Sequence, residues 1–289
     1  MRIFSYMSKD GPAAGVRRGS ALWALDCPDL DTLVASGADV LRVINDAATT
    51  KELDPGAIDY LPLLRRPSKI VCVGLNYAEH AAESPYKDIP AYPTFFPRFA
   101  AGLVGHEKPM ILPMVSEQLD YEAELAVVIG RRGRHIARAD ALSYVLGYSL
   151  FNDASLRDYQ FKAPQWTAGK NFEGTGAFGP ELVTPDELPE GAAGLRIQCR
   201  LNGQTVQNDT TANMIFKVAD LIHLLSEFIS VEPGDVLVTG TPAGVGFGRK
   251  PPVWMKEGDL IEVEVEQIGI LRNRVVREVA VSSNKEAAA

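Results

Sequence analysis

The chain has 289 residues, 46% of them hydrophobic and 23% charged, enough to bury a large core in one main domain with room for a small second one. A net charge of −8 argues against nucleic acid, because no basic patch remains to neutralise phosphates. No run of about 18 apolar residues occurs, which argues against a membrane partner.

Cys27, Cys72 and Cys199 are widely spaced, with neither a disulfide framework nor metal spacing. That usage fits a reducing cytoplasm, and the first residues carry no signal-peptide pattern. Residues 1–64 read as a small N-terminal α+β unit, and 65–289 as the main domain. In the first unit, Arg2–Met7, Gly15–Arg18 and Ala21–Leu25 are expected strands, and Leu30 to Ile44 is helical with a break at Gly37. Nothing in it carries chemistry.

The main domain opens with an apolar strand, Lys69–Leu75, followed by Asn-Tyr-Ala-Glu-His-Ala-Ala-Glu. His80 and Glu83 are three apart, so on a helix they share a face. A carboxylate beside an imidazole raises its basicity, as a general base requires. The bland alternative is an exposed surface pair. Residues 84–97, with four prolines and no period, read as a flexible segment that could close over a site. His106 and His135 read as turn residues.

The strongest signal is Leu119–Gly130, whose second half is a buried β-branched strand. Side chains alternate along a strand, so Glu122 and Glu124 point the same way. Two such carboxylates resist ionising together unless a positive charge sits between them, and a hard divalent cation supplies one. The alternative is that both lie on a wet strand face. Ile136–Leu146 is expected to be a helix and Gly147–Phe151 a strand, which places Asp153 at a strand end as a third oxygen ligand or, alternatively, a helix N-cap. Arg157 and Gln160 follow on one helical face with Asp153, suited to a carboxylate and a carbonyl. In the glycine-rich stretch 169–176, Lys170 suggests a stabiliser of developing negative charge.

Residues 195–208 form a hairpin turning at Asn202-Gly203, and Asn213–Ser230 is an amphipathic helix in which His223 is structural. Val236–Val238 is a strand leading into Thr-Gly-Thr-Pro-Ala-Gly-Val-Gly, where Thr241 and backbone N–H groups could line an anion pocket. Leu260–Glu266 and Gly269–Arg274 alternate and pair.

Gly-Leu-Asn-Tyr-Ala-Glu-His at 74–80, Asp-Tyr-Glu-Ala-Glu-Leu at 120–125, Asn-Asp with Arg157 to Gln160, Gly169-Lys170-Asn-Phe and the 239–246 stretch together resemble the fumarylacetoacetate hydrolase family over about residues 68–275. The resemblance implies a mostly β protein with α+β elements: a mixed β-sheet roll as catalytic domain beside the small N-terminal one. It implies a homodimer, a divalent metal (Mg²⁺ or Mn²⁺, with Ca²⁺ possible) on Glu122, Glu124 and Asp153, and His80 and Glu83 as a base dyad. Arg157, Gln160, Lys170 and Thr241 match substrate-contacting positions. Arg98-Phe99 departs from the common Lys-Pro, and Gly105-His106 from Gly-Pro.

The expected function is metal-dependent hydrolysis of a C–C bond in an acylpyruvate-like 2,4-dioxo acid, in aromatic or small-acid catabolism. His80 would activate water, and Lys170 would stabilise the enolate left behind. The alternative keeps the enolate without water: isomerisation or decarboxylation of a hydroxymuconate-type or oxaloacetate-type 2-oxo acid. A protein that only binds a small molecule on this fold would not need the triad, the dyad and the lysine together.

Overall fold

The structure is a computed structural model that describes residues 1–83 and 90–279. It is mostly β, built on mixed sheets. The main sheet has eleven strands. Its path runs Thr49–Leu53, Ala21–Leu25, Gly11–Arg18, Arg2–Ser8, Gly176–Val183, Val145–Asp153, Ala123–Ile129, Val236–Val238, Ile70–Gly74, Thr94–Arg98. The N-terminal strands thus extend the same sheet, through antiparallel pairing of Arg2–Ser8 with Gly176–Val183.

That sheet has to curl. Only four residues lie between Arg98, at one edge, and Leu103–Val104, which pairs in parallel with Gly176 and Ala177 deep in the path. The five backbone steps from Arg98 to Leu103 reach at most about 17 Å, whereas five flat inter-strand steps need about 24 Å. The roll brings Arg98 beneath the strand ends that carry the acidic residues.

The strand Ala123–Ile129 is buried along its whole length. Leu125, Val127 and Ile129 face a core shared with the helix Val218–Phe228 and a second, five-stranded sheet. Ala126 and Val128 face a core that includes the helices Leu30–Ala35 and Val40–Asp46. Gly37 lies between those helices at φ +71°, which accounts for the break in the 3.6 spacing. The second sheet orders Gln204–Thr210, Arg196–Leu201, Leu260–Val265, Gly269–Arg277, Met110–Leu112. Its last pair is parallel, and its first hairpin turns at Asn202 and Gly203, both at positive φ.

Three expectations change. Ile136–Leu146 is a 3-10 segment, Arg138–Tyr144, after which the next strand already begins at Val145. The 213–230 helix is shorter, Val218–Phe228, because backbone N–H groups before it are used elsewhere: Ile215 donates to the Asn76 carbonyl and Phe216 to Asn76 Oδ1. The aperiodic stretch ends in a true strand, Thr94–Arg98, at the sheet edge, where Pro97 is tolerated because one side of its backbone lacks a ladder partner. Residues 84–89 of the expected closing segment lie outside the described residues.

Candidate active site

The chemistry-bearing side chains converge where the strand ends meet inside the roll. Ala123 pairs with Asn152 and Glu124 with Phe151, so Glu122, Glu124 and Asp153 come together at one end of this pair. Asn152 Oδ1 accepts from the Glu122 N–H (3.0 Å), and the Asp153 N–H donates to the Glu122 carbonyl (3.0 Å). One carboxylate oxygen from each of the three acids lies within 4.8 Å of the others, and all three residues are buried.

The charges are arranged asymmetrically. Lys170 Nζ donates to Glu122 Oε2 (2.6 Å), Asp153 Oδ2 (2.6 Å) and the Asp153 carbonyl (3.1 Å), which uses all three of its protons. Arg157 donates through Nη2 to Glu122 Oε1 (2.7 Å), through Nε to Asp120 Oδ2 (2.8 Å) and through Nη1 to Gln160 Oε1 (2.8 Å). Burial alone would raise the Glu122 carboxyl, but Lys170 and Arg157 outweigh it and hold it at about 2. Among the described residues Glu124 contacts no cation, and it accepts from the Gly240 N–H. Burial first, then Asp153 and Glu122 beside it, push it well above the usual carboxylate range.

That imbalance tests whether the residues suit a metal. Among the described residues, four buried carboxylates here (Asp120, Glu122, Glu124, Asp153) face three buried cations (Arg98, Arg157, Lys170). Glu124 is the group left over. A hard cation with oxygen ligands fits the missing charge and the donor set. Glu122, Glu124 and Asp153 are the residues that would hold it.

His80 and Glu83 belong to the short helix Ala78–Glu83 and line the same cavity as Glu122, Glu124, Arg157, Gln160, Lys170 and Thr241. His80 Nδ1 is buried without a hydrogen-bond partner among the described residues, 3.8 Å from Glu83 Oε2. Both Glu83 oxygens accept from the Gly244 N–H (2.9 and 3.0 Å). Burial would raise the Glu83 carboxyl, but His80 and that N–H bring it below its ordinary value. Thr241 lines the cavity, yet its hydroxyl is committed to the framework, donating to the Ala123 carbonyl (2.9 Å) and accepting from Gln207 (2.8 Å). Aromatic pairs form the walls: Phe96 with Trp166, edge to face at 5.4 Å, and Phe161 with Phe247 at 5.1 Å.

His135 sits in a turn at positive φ, and His223 Nδ1 contacts the Ile136 carbonyl at 2.7 Å, away from the cavity lining. Sequence reasoning assigned no role to Asp120 and noted Arg98 only as a departure. Asp120 accepts from the Gly246 and Phe247 N–H groups (2.7 and 2.9 Å) as well as Arg157, and so ties the glycine-rich loop to the site. Its place two residues before Glu122 was the available signal.

The fumarylacetoacetate hydrolase C-terminal model matches residues 69–276. A mitochondrial oxaloacetate tautomerase of Bos taurus is 39% identical over 290 residues, covering 96% of this chain and 92% of that protein. One from Rattus norvegicus is 44% identical over 220 residues, covering 76% and 70%. Among solved structures, a fumarylacetoacetate hydrolase from Exiguobacterium antarcticum superposes with a TM-score of 0.84 at 32% identity, covering 96% of this chain and all of that one. A 5-carboxymethyl-2-hydroxymuconate delta-isomerase from Mycobacterium smegmatis gives 0.79 at 29% identity, with 96% and 100% covered. The two mammalian relatives are described as mitochondrial, so they lend no support to a cytoplasmic placement. Among the described residues no helix is long and apolar enough to cross a membrane.

Proposed function

The chain belongs to the fumarylacetoacetate hydrolase family, and from that premise we propose that it is an enzyme interconverting the keto and enol forms of a 2-oxo diacid of the oxaloacetate type. The observation that carries this reading is the buried His80 Nδ1, unpartnered among the described residues, in one cavity with the acidic triad and Lys170. The names of the similar mammalian proteins support the same choice over hydrolysis.

Tautomerisation moves one proton between C3 and the oxygen on C2, consumes no water and breaks no carbon–carbon bond. It needs a base at C3 and positive charge at the oxygen. His80 takes the proton from C3 and delivers it to the oxygen on C2, carrying it back in the reverse direction, and Glu83, fixed by the Gly244 N–H, steadies the imidazolium that forms in between. A divalent cation on Glu122, Glu124 and Asp153, when bound, supplies Lewis acidity toward the 2-oxo acid. Lys170 gives up one of its three bonds to meet the oxygen as it becomes negative. Gln160 has its carbonyl taken by Arg157, which leaves the NH₂ end to donate to a substrate carboxylate. The aromatic walls keep bulk water from the carbanion.

Deuterium exchange at C3 of oxaloacetate, followed by proton NMR, tests this directly. The wild-type protein with Mg²⁺ should accelerate exchange, and His80→Ala should slow it by about 10²–10⁴-fold, the usual size of a general-base contribution. Exchange no faster than in buffer with Mg²⁺ alone would sink the reading. The His80–Glu83 pair also favours a second reading, in which His80 activates water for cleavage of an acylpyruvate. Release of pyruvate from acylpyruvates without C3 exchange in oxaloacetate would select it.

A further inference from the structure

We infer that Arg98 is a positioning residue that fixes the orientation of Asp153 for metal binding, an inference resting on the metal site proposed for Glu122, Glu124 and Asp153. The Arg98 side chain is fully buried. Its Nη1 donates to Asp153 Oδ1 (2.5 Å) and to the Ala154 carbonyl (3.1 Å), and Nη2 donates to Thr175 Oγ1 (2.8 Å). Thr175 in turn donates to the Phe172 carbonyl (2.7 Å), so the far end of the guanidinium is anchored to backbone. A Cβ on Gly176 would lie 3.1 Å from Arg98 Nε and Nη2, so a glycine here leaves room for the guanidinium plane.

This cradle determines which Asp153 oxygen faces the site. Oδ1 is held by Arg98, with Cys72 Sγ 4.0 Å away, while Oδ2 is the oxygen turned to Lys170. The guanidinium holds the ligand from behind, as outer hydrogen bonds orient metal-binding carboxylates. A lysine at 98 could keep the charge, but its single ammonium could not reproduce the planar fork that meets Asp153, Ala154 and Thr175 together.

Charge and orientation predict opposite signs, which makes the inference testable. Arg98 is a cation near a cation site, so on charge alone its removal should tighten a divalent ion. If its role is orientation, removal should weaken binding. The experiment strips the full-length protein with EDTA and titrates it with MnCl₂, reading free Mn²⁺ by EPR, for wild type, Arg98→Met and Arg98→Lys, with Tm recorded for each stripped protein. Orientation predicts Mn²⁺ affinity about 10–100-fold weaker in Arg98→Met, and a smaller loss in Arg98→Lys. Unchanged or tighter Mn²⁺ binding in folded Arg98→Met overturns the inference. Should Arg98→Met not fold, Arg98→Lys and Thr175→Val decide, and wild-type affinity in both overturns it. A wild-type protein that takes up no Mn²⁺ overturns the metal reading itself, an outcome distinct from equal binding by wild type and variant.

Discussion

Glu124 is the residue on which the electrostatics of the site turn. Its neighbours Glu122 and Asp153 each have a cation, whereas Glu124 has, among the described residues, one backbone N–H and is pushed toward its neutral form by burial and by those two acids. Glu124→Gln keeps the shape and removes the charge. Manganese retained after gel filtration, measured by elemental analysis, should fall by at least about 10-fold, since even groups behind a metal ligand contribute that much. Full retention would remove Glu124 from the site. The pairing of Glu122 with Glu124 was legible because strand alternation is a strict rule, and Asp153 because it ends the neighbouring strand. Lys170 was legible as a charge in a glycine-rich stretch, but not that two acids and a carbonyl would take all its protons. Arg98 could not be assigned, because nothing local marks an edge-strand arginine that the curl of the sheet carries inward.

At the scale of elements, the stretch from Thr239 to Gly248 is the loop to which several functional residues are tied by backbone N–H groups: Glu124 to Gly240, Glu83 to Gly244, Asp120 to Gly246 and Phe247. The sequence marked this loop as an anion pocket. In the structure the anions it holds are the protein's own carboxylates. Gly244 sits at φ +102°, and a Cβ there would lie 2.3 Å from the Val206 carbonyl oxygen. Gly244→Ala therefore combines a glycine-only backbone with a steric clash, and should cost about 1–3 kcal/mol of stability. It should also loosen Glu83, lowering kcat for C3 exchange more than it raises KM. Thermal unfolding and steady-state kinetics read the two effects, and a Tm and kcat like wild type would refute the close packing described. The hairpin at Asn202-Gly203 was legible because that turn demands two positive φ values. The start of the Val218–Phe228 helix was not, because amphipathic spacing does not reveal that Ile215 and Phe216 bond to Asn76, just ahead of the His80 helix.

For the whole molecule, the main question is what joins the N-terminal strands, the roll and the second sheet. Pairing between residues near 2 and 183 leaves no trace in local pattern, so this level was the least legible. One joint is the turn at 105–108. Gly105 lies so close to the N-terminal segment that a Cβ would fall 2.6 Å from the Tyr60 carbonyl oxygen, and Asn273 of the second sheet donates to the Gly105 and Lys108 carbonyls (2.8 and 2.9 Å). His106 stands between them, edge-on to Tyr60 at 4.9 Å, with Nδ1 accepting from the Arg272 N–H at 3.0 Å.

Burial, followed by the positive charges of Arg272 and Arg17, pushes the His106 imidazole down to about 4. An unfolded histidine titrates near about 6.5. Between those values the unfolded chain binds a proton that the folded protein refuses, so stability rises with pH across the window and is lost as pH falls through it. The contribution is fully present above about 6.5 and amounts to no more than about 3.5 kcal/mol, because the two values lie roughly 2.5 apart at about 1.4 kcal/mol for each pH unit. His106→Asn keeps an acceptor for the Arg272 N–H without the titration. Urea unfolding at pH 7 and pH 4.5 should show wild type losing more stability than the variant by about 1–3 kcal/mol, while the carboxylates common to both cancel in the comparison. Equal losses would mean that His106 carries its proton in the folded protein, and that the joint is not where acid first acts.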